Sequence, residues 1–229
     1  MKSLWDSAES ERWNSNELEQ RIYSARLLAK EPDLGCTFGG TVSVKTTEKD
    51  LFGEPAELIY VHATGTNLVR IEFAQFIPLR RDHLLRLLSL PGLSARGLEL
   101  QIRLASNQPD SAEPTLDALL HAVIPAKYVD QVSADAILSL TNTPRAAELI
   151  QSVFGPNIPL IPYFQSNFDL SGCRSTRSPA HQETRRVSSG QARSMHFWRD
   201  SRGVVSANAT FSECGGRENS KITQPSTRF

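Results

Sequence analysis

The sequence has few cysteines, no long apolar run and no net charge, and each scarcity argues against a class of protein. Its 3 cysteines, Cys36, Cys173 and Cys214, show neither CxxC spacing nor the density of a secreted disulfide framework, so they are predicted to be ordinary thiols. No apolar stretch approaches the roughly 18 to 20 residues that cross a bilayer. The opening residues contain no signal-peptide core, so a cytoplasmic protein without a membrane partner is expected. The 25 basic and 25 acidic side chains balance, which argues against a nucleic-acid-coating protein.

Leucine is missing from one part of the chain. Residues 1–170 contain 26 leucines, 15 basic and 21 acidic side chains, whereas residues 171–229 contain no leucine, 10 basic and 4 acidic side chains. The first stretch is long enough for one domain with a sizeable core, and the second has too little apolar surface to bury one. The composition therefore predicts a domain over 1–170 and a largely disordered tail over 171–229.

The first 170 residues mix helical and extended patterns. Asn16 is a cap candidate with Glu19 three residues on, and the apolar residues that follow recur at helical spacing until Pro32. Strands or extended segments are predicted at 41–45, 57–61, 68–71, 128–133 and 158–163. Further helices are predicted at 82–88, 114–123, 134–140 and 144–153. Two prolines place the strand at 158–163 on a sheet edge, and 98–104 fits either a helix by composition or a strand by alternation. The mixture predicts an α/β or α+β fold in which helices cover a sheet.

Several segments in one order carry a family resemblance across nearly all of residues 1–170. They are Met1 to Trp5, 39–45, 50–55, 58–68, 114–125, 127–143 and 162–170. Together they resemble the class II aldolase/adducin N-terminal domain family, most closely the aldolase half of bifunctional rhamnulose-1-phosphate aldolase/short-chain alcohol dehydrogenases. The resemblance implies a three-layer α/β/α fold around a largely antiparallel sheet, incomplete here at its C-terminal end. It also implies a homotetramer with active sites between subunits.

Members of that family cleave sugar phosphates with a divalent metal, usually zinc. A bound cation stabilises the enediolate that forms when the carbon–carbon bond breaks, and imidazoles are its natural ligands. The family's His-x-His falls here on Gln131, Val132 and Ser133, so both histidines are replaced. The amide and the hydroxyl are much weaker zinc ligands than two imidazoles, and we expect no metal site and no bound cofactor. Gln131 and Ser133 are then plain strand residues, and the alternative is that the Gln131 oxygen and the Ser133 hydroxyl form a weak metal site.

The family's substrate-binding positions are also changed. The resemblance assigns substrate or phosphate contacts to Gly40, Thr41 and Ser43 in a first segment and to Thr64 and Gly65 in a second, which is a loop. The second loop keeps a hydroxyl and a glycine but has no cation, so a simple turn is the alternative to a weak anion site.

One carboxylate and one histidine keep their family positions on the helix at 114–123. Asp117 stands where the family has its general acid/base glutamate, shortened by one methylene. A solvated carboxylate near a helix start is the alternative for Asp117. His121, one turn later, is read as a hydrogen-bonded packing residue or a ligand.

The tail suggests a change of reading frame. We hypothesise a single frameshift shortly after Leu170, because residues 192–205 have allowed codons that, read one base later, encode a sequence similar to the family's Lys-His-Gly segment. The arginines of the tail lack the aromatic interleaving of a nucleic-acid site. The coding DNA tests this hypothesis directly.

Three functions are consistent with these residues. The first is a degenerate class II aldolase-like domain with little or no lyase activity. The second is a non-catalytic, adducin-like interaction or oligomerisation module. The third is a residual binder of a small molecule such as a sugar phosphate, using Ser43, Thr64, Gly65 and Asp117.

Overall fold

A computed structural model of the chain describes residues 4–13, 16–108, 111–155, 160–161, 166–176, 186–189, 195–199, 204–205 and 210–211. The helices are α1 (Ser7–Glu11), α2 (Glu17–Ala29), α3 (Cys36–Gly39), α4 (Arg81–Leu87), α5 (Ala95–Leu104), α6 (Ala118–Val123), α7 (Asp135–Thr141), α8 (Ala146–Phe154) and α9 (Asn167–Thr176). The strands are β1 (Thr41–Lys49), β2 (Pro55–His62), β3 (Phe76–Arg80), β4 (Tyr128–Val132), β5 (Leu160–Ile161), β6 (Arg186–Ser189), β7 (Met195–Arg199), β8 (Val204–Val205) and β9 (Thr210–Phe211). Short 3₁₀ helices occupy Pro32–Leu34, Leu68–Arg70 and Phe73–Gln75.

The main sheet is largely antiparallel. Its strand order is β3-β2-β1-β4-β7-β6-β5, and β5 pairs in parallel with β6 at one edge, where the two prolines predicted an edge strand. In the centre, Ser43 of β1 lies opposite Val61 of β2 and Val129 of β4. Directly opposed residues share a face of the sheet, so this register decides which side chains meet which helices.

Helices cover both faces of the sheet, which confirms the three-layer α/β/α architecture. Val42 and Val44 of β1 pack on one face with apolar residues of α2 and α7. On the other face, Ile59 and Val61 of β2 pack with apolar residues of α4, α5, α6 and α9. The alternation of β1 therefore directs its valines to one layer and Thr41, Ser43 and Lys45 to the other.

The first helix follows its cap, as predicted. Asn16 Oδ1 accepts a hydrogen bond from the Glu19 N–H at 2.9 Å, and α2 ends at Ala29 before Pro32. Cys36 has a free, buried thiol, whereas Cys214 and the Cys173 side chain lie outside the described residues. No helix in the described ranges has both the length and the apolar character needed to cross a membrane.

Two segments differ from the sequence-based prediction. The extended segment expected at 68–71 is wrong, because Leu68–Arg70 forms a 3₁₀ turn that Asn67 caps by accepting from the Val69 N–H at 2.9 Å. The helix expected from residue 114 begins only at Ala118, because Pro114 forms a β-bridge with Ala63 instead.

The predicted domain boundary at residue 170 falls within a helix, and the boundary itself stays a prediction. Helix α9 runs from Asn167 to Thr176. Strand β7 pairs with β4, and its His196 lies opposite Gln131 of β4. This edge of β4 is therefore paired with a strand from residues 171–229. Disorder and a shifted reading frame in the rest of 171–229 stay predictions, because most of those residues lie outside the described ranges.

Candidate functional site

Polar residues at alternate positions of β1 meet successive turns of α6. Thr41 Oγ1 donates to Asp117 Oδ2 at 3.0 Å, and Ser43 Oγ lies 2.8 Å from His121 Nδ1. Farther along the strand, Lys45 Nζ donates to a backbone carbonyl just beyond the helix. Two strand residues advance about 6.7 Å and four helix residues about 6 Å, so the two spacings match and each contact forms in turn.

Asp117, at the N-cap of α6, accepts hydrogen bonds from three neighbours. Besides the Thr41 hydroxyl, Asn167 Nδ2 donates to its Oδ1 at 3.2 Å, and the Gln131 amide also donates to the carboxylate. Burial raises the pKa of Asp117, and the hydrogen bonds from Thr41 and Gln131 partly oppose that rise. The alternative of a solvated carboxylate is wrong, because Asp117 is half-buried inside a hydrogen-bond network.

Gln131 connects Asp117 to His121. Its Oε1 lies 3.3 Å from His121 Nε2, and because an amide oxygen only accepts, Nε2 carries the proton. In the neutral imidazole, Nδ1 then accepts from the Ser43 hydroxyl. The result is one network from Ser43 through His121 and Gln131 to Asp117 and Thr41. Gln131 is thus more than a plain strand residue.

The Ser43–His121 pair has the composition of an activated nucleophile but not its exposure. A catalytic serine needs a base within hydrogen-bond reach, and 2.8 Å satisfies that requirement. Both side chains, however, are 0% exposed, so a substrate has no access to Ser43 Oγ. The pair instead holds α6 against β1, which fits the interpretation of His121 as a packing residue.

A second histidine lies next to this network. His62 Nε2 is 3.2 Å from the Gly40 carbonyl, and Nδ1 is 2.9 Å from the Ala63 carbonyl. A neutral imidazole has one N–H and can donate to only one of them. Burial nevertheless lowers the pKa of His62, so the neutral form is favoured.

The predicted glycine and threonine positions play different roles. A Cβ on Gly40 would lie 2.8 Å from the Gln131 carbonyl oxygen, so this glycine permits close approach of two strands. Gly65 adopts a φ of 75°, as a turn glycine does, and Thr64 is exposed with its N–H donating to the Glu113 carbonyl at 2.8 Å. The structure therefore joins Thr41, Ser43 and Asp117 in one network and places Thr64 and Gly65 in a separate turn.

The zinc ion that the resemblance implies does not fit the donors around Asp117. At one ligand position, Gln131 engages Asp117 and His121 with its amide. At the other, the Ser133 hydroxyl is a poor zinc ligand. Among the residues that the structure describes, no three His, Cys, Asp or Glu side chains are grouped so that they could hold a metal ion.

Sequence reasoning gave no role to two residues of this site. Asn167 reaches Asp117 across 50 positions of sequence, and its only local signal is the helix start that Ser166 caps by accepting from the Phe168 N–H. No local sequence pattern marks His62 as part of the site. Both contacts depend on tertiary packing.

Comparisons with known proteins agree with the architecture. No family model matches the chain. The N-terminal class II aldolase domain of a conserved Thermoplasma acidophilum protein superposes with a TM-score of 0.77 at 26% identity, covering 87% of this chain and 90% of that one. A sugar-phosphate aldolase from Thermotoga maritima gives a TM-score of 0.56 at 15% identity, covering 81% and 87% of the two chains.

The chain has the class II aldolase fold, and the resemblance to the class II aldolase/adducin family is confirmed. A curated relative, the uncharacterized oxidoreductase YuxG of Bacillus subtilis (strain 168), is 26% identical over 171 residues. That match covers 75% of this chain and 25% of the relative, so the chain spans about a quarter of the length of the curated relative it matches.

Proposed function

We propose that this chain is a class II aldolase-like domain that binds a sugar phosphate or a related polyol at Asp117 but performs little or no aldol cleavage. The observation that carries the proposal is the bridge from Gln131 to both Asp117 and His121. Where the family has a metal ligand, this chain has Gln131, and its amide forms hydrogen bonds within the protein instead.

Aldol cleavage needs an electron sink. Breaking the carbon–carbon bond leaves an enediolate, and without a strong Lewis acid that charge is stabilised only by hydrogen bonds. The network offers donors at Thr41 and Asn167, but both are directed at the Asp117 carboxylate. Cleavage is therefore expected to be very slow even when a substrate binds.

Binding and proton exchange are better supported than cleavage. Asp117 is half-buried, so a ligand can reach it, and burial raises its pKa in the way that suits a proton-exchanging group. A polyol hydroxyl could replace one of the protein donors on the carboxylate. A family-type phosphate contact at Thr64 and Gly65 is part of this proposal.

We propose rhamnulose 1-phosphate as the ligand, because it is the substrate of the bifunctional group that the sequence most closely resembles. The description of the Bacillus subtilis relative as an oxidoreductase supports the finer resemblance to bifunctional proteins that join an aldolase half to a dehydrogenase half. On this proposal, the chain corresponds to the aldolase half.

A cleavage assay with rhamnulose 1-phosphate and added Zn²⁺ tests the proposal. We expect turnover at background for the natural chain, and tighter Zn²⁺ binding after Gln131→His and Ser133→His together, because imidazoles are the better ligands. Matched substitutions on exposed positions, Thr47→His and Lys49→His, control for added imidazoles. Substantial turnover by the natural chain would contradict the proposed inactivity.

A non-catalytic interaction module is the second candidate, and one surface feature favours it. Leu51 and Phe52 at the tip of the β1–β2 hairpin are 100% and 89% exposed. Asp50 fixes this tip, because its Oδ1 accepts from the N–H groups of Phe52 and Glu54 at 2.8 and 2.9 Å. A rigid apolar tip is typical of a contact surface.

Light scattering on the natural chain and on the Leu51→Ser, Phe52→Ser variant tests the second candidate. A defined oligomer that dissociates in the variant would support the module, whereas an unchanged molar mass would argue against it.

A further inference from the structure

A cleft of about 470 Å³ lies farther along β1 than Thr41 and Ser43. Its charged lining consists of three basic and two acidic side chains: Lys45, Arg81, Lys127, Glu17 and Glu57. Lys45 is four residues beyond Thr41, about 13 Å along an extended strand, so this cleft is separate from the network around Asp117.

Each acidic residue of the cleft is already paired. Arg81 Nη1 contacts Glu57 Oε2 at 2.7 Å, and Lys127 Nζ contacts Glu17 Oε1. Lys45 forms no ion pair with a carboxylate in the described part of the chain, and its Nζ donates instead to the Ala126 carbonyl at 2.6 Å. One positive charge of the cleft is therefore not balanced locally.

Unused donors accompany this charge. An ammonium group has three N–H donors, and the Ala126 carbonyl takes one of those on Lys45. Arg81 has five, of which Nε donates to the Ala122 carbonyl at 3.1 Å and Nη1 to Glu57. The remaining donors on both side chains are the kind that carboxylate and phosphate oxygens accept.

The desolvation of Lys45 also favours the binding of an anion. Burial, reinforced by the Arg81 charge, lowers the pKa of Lys45 to about 7. An anion beside the ammonium would offset both effects, so anion binding and protonation of Lys45 should be coupled.

We propose that the cleft binds a small anion through a phosphate or carboxylate group, held by Lys45 with Arg81 and Lys127 beside it. This site is independent of the proposed function at Asp117. The other charged groups that line the cleft are Glu17 and Glu57, each held in an ion pair with Lys127 or Arg81. The affinity for the anion should follow the protonation of Lys45 and therefore fall as the pH rises above 7.

Thermal unfolding of the full chain in inorganic phosphate or in acetate, with ionic strength matched by chloride, tests the proposal. At about pH 6 we expect at least one anion to raise the unfolding temperature, and the anion with the larger effect identifies the preferred group. The rise should shrink at about pH 8.5. Lys45→Gln should raise the half-saturating concentration at least tenfold, whereas Lys49→Gln, an exposed control on the same strand, should leave it unchanged. Equal responses in the natural chain and in Lys45→Gln, or no rise with either anion, would overturn the proposal.

A second measurement keeps the proposal testable if Lys45→Gln fails to fold. NMR of the lysine side chains in the natural chain follows the titration of Lys45 directly. Phosphate or acetate should move its pKa upward, and a titration midpoint that neither anion changes would overturn the proposal.

Discussion

The ion pair between Arg21 of α2 and Asp130 of β4 provides a demanding test of the structure. Arg21 Nη1 lies 2.6 Å from Asp130 Oδ1, and the two side chains are 1% and 4% exposed. Asp130 immediately precedes Gln131, so this pair fixes the strand that presents the amide to Asp117. Arg21→Met removes the cation, keeps most of the side-chain volume and leaves a buried carboxylate without its partner.

The expected loss of folding stability in Arg21→Met is large. Removing one partner of a buried ion pair costs about 3–5 kcal/mol, a substantial part of the roughly 5–15 kcal/mol that stabilises a typical domain. The pair itself is imperfect, because the contact between Arg21 Nη1 and Asp130 Oδ1 lacks hydrogen-bond alignment and Arg21 Nε has no hydrogen-bond partner in the described structure. Replacing both residues, as Arg21→Met with Asp130→Leu, should therefore restore most of the lost stability.

Urea unfolding measures both effects, with Arg145→Met as the control. Arg145 and Glu148 form an exposed pair with 73% and 68% of their side chains accessible, and its loss should change the free energy of unfolding by less than about 0.5 kcal/mol. If Arg21→Met lowered the free energy of unfolding by less than about 1 kcal/mol, the claim that it leaves a buried carboxylate without a partner would be refuted.

Three further predictions concern the site. Burial raises the pKa of Asp117, so its contribution to stability is present below the ordinary aspartate pKa and is lost as the pH rises through the raised value. Asp117→Asn should therefore increase the urea midpoint near neutral pH more than at about pH 3.5. The lowered pKa of His62 has the opposite sign: its contribution is present above the ordinary histidine pKa and is lost as the pH falls through the lowered value, so stability between about pH 6.5 and 5 should fall more steeply for the natural chain than for His62→Gln. Gly40→Ala should cost about 1–3 kcal/mol, because its Cβ would lie 2.8 Å from the Gln131 carbonyl oxygen, and Gly39→Ala, which meets no atom within 4 Å, should cost less; equal losses would contradict the close approach.

Local sequence signals predicted many of the elements, and α5 shows where they were ambiguous. Leu98 and Ile102 are buried, whereas Leu100 and Leu104 are 53% and 55% exposed. Each pair is four residues apart and therefore shares a helix face, so the helix carries an apolar pair on two faces. That arrangement looks like strand alternation in sequence, and only packing against the sheet distinguishes the two.

The candidate site was predictable as far as local spacing reaches. Helical spacing predicted that one turn separates Asp117 from His121, whereas Thr41 and Ser43 were assigned from the family resemblance and share a face because they alternate in β1. The roles of Gln131 and Asn167 could not be predicted in this way, because their hydrogen bonds join elements that are distant in sequence. The replacement of the metal ligands was visible in the sequence, but the bridge that Gln131 makes was not.

Equilibrium dialysis against Zn²⁺, followed by metal analysis, tests the central claim most directly. We predict that the purified chain retains much less than one equivalent of zinc, and that Asp117→Asn leaves this amount unchanged. Retention of one full equivalent that Asp117→Asn abolishes would contradict the account, because it would show that the Gln131 bridge opens to admit a metal ion.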